Sequence, residues 1–62
     1  MLWRAKVVGL DDDGIYVEIP EIATGVPLGP YLTAAGLDVG VGDTVAVGEY
    51  QGGTRIVLAV EA

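Results

Sequence analysis

"LDDDGIYVEIP", residues 10–20, sets three consecutive aspartates and a glycine directly before a run that alternates and ends in proline. Ile15, Val17 and Ile19 alternate with Tyr16 and Glu18, the period-two pattern of a strand with one covered face. The residues before the aspartates repeat that pattern. From Leu2 to Leu10, Trp3, Ala5 and Val7 fall on one face and Arg4 and Lys6 on the other. Between the two runs lie Asp11, Asp12, Asp13 and Gly14. Aspartate suits the early positions of a turn and glycine the left-handed position after them, so the four residues predict an antiparallel hairpin.

Two chemical readings of the acidic run fail on spacing and setting. A calcium loop places its oxygens at alternate positions and closes with a glutamate at the twelfth. Twelve positions counted from Asp11, Asp12 or Asp13 end at Ile22, Ala23 or Thr24, none of which is a carboxylate. An acid–base pair with Glu18 or Glu21 needs one member buried or crowded so that the two pKa values separate. An exposed turn provides neither condition. Asp11 to Gly14 is read as a solvated turn.

Downstream, Pro20 ends the second strand because proline has no amide to donate to a ladder. Glu21 to Pro30, with Gly25, Pro27 and Gly29, reads as an extended loop; Tyr31-Leu32-Thr33 reads as a short strand in preference to a single helical turn opened by Pro30 through Ala34 and Ala35. Gly40-Val41-Gly42-Asp43 turns the chain into a strand carrying Val45 and Val47. Gln51-Gly52-Gly53-Thr54 then turns it into a last strand carrying Ile56, Leu58 and Val60. The expected fold is all-β, one domain over residues 1–62: a small antiparallel β-barrel of about five strands, OB-like or SH3-like.

Composition narrows the function. Sixty-two residues support one small core, and such domains commonly lean on disulfides, metals or association. Cysteine and histidine are both absent, which removes thiolate and imidazole metal ligands and the commonest general base. Serine is absent as well, so nucleophilic catalysis has little to use. Gly40 to Asp43 has no basic neighbour and no helix after it, unlike a phosphate cradle. No enzyme activity, metal or cofactor is expected.

Nine acids against three bases give a net charge of −6, which opposes binding to a phosphate backbone. No apolar run approaches the length of a membrane span, and the N-terminus lacks the apolar core of a signal peptide. A soluble product of the cytoplasm, without nucleic-acid or membrane partners, is expected.

The last strand is apolar on both faces, and the second face of the strand before it is small and uncharged. Val57 and Ala59 alternate with Ile56, Leu58 and Val60, and Ala46 and Gly48 are small. Sheets apolar on both faces are usually covered on both. Ala46, Val57 and Ala59, with Tyr16 on the outer face of the second strand, are the expected interface. Trp3 is expected inside the barrel.

"RAKVVGLDDDGIYVEIP", the Gly29-Pro30 pair, "VGDTVAV", a glycine turn and "RIVLAV" together resemble small β-barrel proteins encoded among the virion genes of actinobacterial tailed phages. The resemblance spans nearly the whole chain, although its elements are common to many small barrels. It implies an OB-like attachment or spacer module of the minor tail or tail tip. The short chain equally fits a capsid decoration protein clamping neighbouring shell subunits. Either role implies assembly in the virion, after synthesis in the host cytoplasm, with other copies and larger virion proteins as partners. No catalytic residues transfer. "VGDxVxV" also occurs in nucleic-acid-binding OB barrels such as those of bacterial initiation factors, from which this chain departs in its acidity and its lack of a basic aromatic face. The alternative is a bacterial OB- or SH3-like adaptor for a protein or polysaccharide.

Overall fold

In the computed structural model, which describes residues 1–61, five strands close into a small all-β barrel. They are β1 (Leu2–Asp11), β2 (Gly14–Glu18), β3 (Leu28–Thr33), β4 (Thr44–Glu49) and β5 (Arg55–Glu61), arranged in the order β1-β2-β3-β5-β4. Residue 62, the last of the expected domain, lies outside the described residues. Four neighbouring pairs are antiparallel, and β3 runs parallel to β5. A ring with an odd number of strands cannot alternate direction throughout, so one parallel seam is unavoidable. The chain crosses the barrel between β3 and β4, so that β4 pairs with β1 and β5 fills the remaining gap. This Greek-key order is the OB-like arrangement.

The predicted hairpin forms at Asp11 to Gly14. The Asp11 carboxylate accepts the amides of Asp13 (2.8 Å) and Gly14 (3.2 Å), an Asx turn that holds the corner. The core follows the predicted alternation in β1, β2 and β4, where Ala5, Val7, Ile15, Val17, Val45 and Val47 are buried. Ile19, just beyond β2, is fully buried too. Trp3 is half-buried and packs against this core, as expected.

Three bulges let so short a sheet bend into a barrel. In β1 the register shifts at the exposed Val8, so that Gly9 rather than Val8 faces Tyr16. In the β2–β3 pair, Ile15 faces Tyr31 and Val17 faces Leu28, so β3 carries the extra residue in its Leu28–Tyr31 stretch, which includes the cis Gly29–Pro30 bond. The expected loop through Pro30 therefore ends earlier, and β3 begins at Leu28. Proline is tolerated there because a bulge leaves an amide without a ladder partner.

The third bulge overturns an expectation. Ala46 pairs with Ala59 but Val47 pairs with Val57, so Leu58 is the extra residue in β5. Alternation breaks at that point. Val57 is fully buried in the core, whereas Leu58 and Ala59 are both exposed and Val60 turns back against the core. Val57, expected at the interface, is thus a core residue. Leu58, expected inside, is outside.

Candidate functional site

The outer face of β1, β4 and β5 is built in three rows. Lys6 stands beside Thr44 and Thr44 beside Glu61; Arg4 stands beside Ala46 and Ala46 beside Ala59; Leu2 stands beside Gly48. The bulge brings Leu58 across Gly48, where an added β-carbon would fall 2.5 Å from Leu58 Cδ1 and 3.5 Å from Leu2 Cδ2. Only a residue without a side chain lets the two leucines lie over the backbone of β4. Gly48 itself is buried by this cover. The apolar second face read from the sequence is therefore partly covered by the chain itself, and the leucines carry the apolar surface outward. Leu2 is 67% exposed and Leu58 37%.

Above the small side chains of the middle strand, Arg4 reaches across to Glu61. Its Nε donates to Glu61 Oε2 at 2.8 Å, and its second nitrogen donates to Oε1. The hydrogen bond and the charge of Arg4 hold the Glu61 carboxyl below its ordinary range, and Glu61 raises Arg4. Both side chains are exposed, so the pair orders the surface without adding much stability. An open groove of about 430 Å³, lined by Leu2, Trp3, Arg4, Ala46, Ala59 and Glu61, runs along this face.

Ala46 and Ala59 thus meet on one surface, as the sequence led us to expect. Tyr16 does not join them. It stands on β2 opposite Gly9, beyond the β1 bulge, with Cβ and Cδ2 each 3.7 Å from where a Gly9 β-carbon would be. The Tyr16 hydroxyl is raised above its ordinary pKa, chiefly through hydrogen bonding with Asp11, with smaller contributions from burial and from the charges of Asp11 and Asp13.

A second cluster closes one end of the barrel. Glu49 and Arg55 continue the inward-facing series of Val47 and Val57, and they pair directly across β4 and β5. Arg55 Nε donates to Glu49 Oε1 at 3.1 Å and its Nη1 to the Tyr31 hydroxyl at 2.8 Å. The guanidinium carbon sits 5.0 Å from the Trp3 ring centre. Tyr31 first and Glu49 second raise the Arg55 pKa. With its contacts satisfied on three sides, Arg55 acts as a strut tying β1, β3, β4 and β5 together.

No protein-family model matches this chain, and comparisons with curated proteins and with solved structures likewise find no match.

Proposed function

We propose that this chain is a non-enzymatic structural protein of a tailed-phage virion, a small β-barrel that assembles in many symmetric copies. Its place is on the tail or tail tip, or on the capsid surface, where it contacts other copies and larger virion proteins. The observation that carries this reading is the apolar outer face of β1, β4 and β5, where Leu2, Leu58 and Ala59 are exposed and Ala46 half-buried beside a single ion pair. The virion setting rests on the resemblance of the strand and turn pattern to phage barrel proteins.

The mechanism is repetition. A face this small gives one weak contact, and symmetry multiplies weak contacts into avidity. The chemistry of the chain agrees with a non-catalytic role. Arg4 lowers the Glu61 carboxyl on this face, whereas a general acid needs its pKa raised. The net charge of −6 weighs against nucleic acid as the partner.

Immunoblotting of denatured, purified phage particles with an antibody against the chain tests this reading. A band at virion copy number supports it, and immunogold labelling then separates heads from tail ends. A blank blot overturns the virion setting and brings forward the bacterial adaptor, for which a glycan and protein ligand screen is the corresponding test.

A further inference from the structure

We infer that the outer face of β1, β4 and β5 is covered by the same face of a second copy, related by a two-fold axis. The inference rests on the proposed docking role of this face and names its occupant.

Charge selects the occupant. The ion pairs Arg4–Glu61 and Arg55–Glu49 cancel, which leaves Lys6 against seven acids in a chain of net charge −6. Two copies therefore repel over most of their surfaces. Asp11, Asp12 and Asp13 occupy the hairpin turn, and Glu21, Asp38 and Asp43 lie in the connections between strands. Glu18, on β2 opposite Lys6, borders the face, and its carboxylate accepts the Gly25 amide at 3.1 Å. Across the three rows themselves the charges are Arg4, Lys6 and Glu61. With Glu18 at its border the face carries two cations and two acids, so a second copy meets no net charge of its own sign there, unlike the acidic turn and connections.

The same three charges make the face complementary to itself. A two-fold contact is isologous: what one copy presents, the other must accept. Leu2, Leu58, Ala46 and Ala59 supply an apolar centre that matches its own copy. Arg4 and Glu61 stand together at its side as an exposed donor and acceptor, with side chains 71% and 46% accessible. Facing copies can exchange these partners, Arg4 of each to Glu61 of the other, without leaving a charge unpaired. An unrelated partner would need to bring this reciprocal pattern with it.

Sedimentation equilibrium from micromolar to millimolar concentration, combined with charge-exchange variants, tests the inference. The wild-type chain is expected to dimerise. Arg4→Glu, whose face carries acids at both positions, and Glu61→Arg, whose face carries bases at both, are each expected to dimerise about tenfold or more weakly. Mixed in equal amounts, these two variants are expected to form a heterodimer. Circular dichroism checks that each remains folded. Recovery on mixing is the decisive result, because a general loss of structure would not be reversed by a partner.

A wild-type chain that stays monomeric throughout overturns the inference, as does a dimer whose affinity ignores both substitutions. Loss of Ala59→Asp from particles despite a monomeric wild type would assign the face to a different virion protein. That outcome overturns the second copy while leaving the docking role intact.

Discussion

Leu58 lies across Gly48 on the outside of the barrel, so close that a β-carbon at Gly48 would fall 2.5 Å from Leu58 Cδ1. This contact joins the β5 bulge to the proposed docking face. The atom in the way is the end of a flexible side chain, so Leu58 can yield where backbone could not. Gly48→Val is expected to swing Leu58 off β4 and weaken docking or self-association, with stability changed by about 1 kcal/mol or less. Thermal unfolding compared with association of the same protein checks this. A variant that associates normally would show that the leucine cover is not part of the contact.

Two neighbouring residues of β5 should respond in opposite ways to the same substitution. Val57 is fully buried, so Val57→Asp places an unpaired carboxylate in the core at a cost of about 3–5 kcal/mol. A single core of this size supplies only about 3–5 kcal/mol in total. The variant is expected to be unfolded by circular dichroism. Ala59→Asp is exposed and is expected to unfold within about 0.5 kcal/mol of wild type.

Arg55 should matter for stability out of proportion to its place near a turn. Arg55→Ala removes the contact with Trp3 and the hydrogen bonds to Tyr31 and Glu49. The expected loss is about 1–3 kcal/mol, read from urea unfolding. Arg55→Lys should recover only part of it, since an ammonium cannot reproduce the planar fork that meets two partners while stacking on a ring.

The seam between β2 and β3 depends on two glycines. A β-carbon at Gly14 would lie 2.7 Å from the Tyr31 carbonyl oxygen, and one at Gly29 would lie 2.6 Å from that of Ile15. Both residues also have positive φ, +148° and +137°. Here the obstacle is backbone, which cannot swing aside. Gly14→Ala and Gly29→Ala are each expected to cost about 1–3 kcal/mol. Because both open the same seam, the double variant should lose less than the two single losses together.

Tyr16 provides a pH test. Its folded pKa is raised, so the neutral phenol is favoured in the folded state. That contribution is complete below the unfolded tyrosine value and is lost as pH rises through the folded one. Asp11→Asn should return the Tyr16 titration toward the ordinary range, as followed by NMR of 13C-labelled tyrosine. An unchanged titration would contradict the part assigned to Asp11.

Much of this fold was legible because alternation in β1, β2 and β4 runs unbroken through the core positions. The turn at Asp11 to Gly14 announced itself by residue type, and the carboxylate of Asp11 does there what an Asx turn requires. The β5 bulge was not legible. Nothing in "RIVLAV" marks Leu58 as extra, since every residue after Arg55 is apolar and either phase reads equally well. One slipped residue exchanged Val57 and Leu58 between core and surface. The same slip hid the Arg55 strut: Glu49 shares the inward phase of Val47, but Arg55 shares that of Val57, which the sequence reads as outward until the bulge is known. Ala46 and Ala59, two of the four residues expected at the interface, share the outer face of β4 and β5 because the expected phase holds in β4 and on the Ala59 side of the bulge, and fails only at Leu58 and before it.

The docking face is tested most directly by incorporation of Ala59→Asp. Phage carrying the substitution, or lacking the wild-type chain and supplied with the variant, would be purified and blotted for the protein. With the barrel folded and the face charged, the particles are expected to be depleted of the chain while the free variant remains soluble in the lysate. Particles carrying Ala59→Asp at the wild-type level would contradict the docking role.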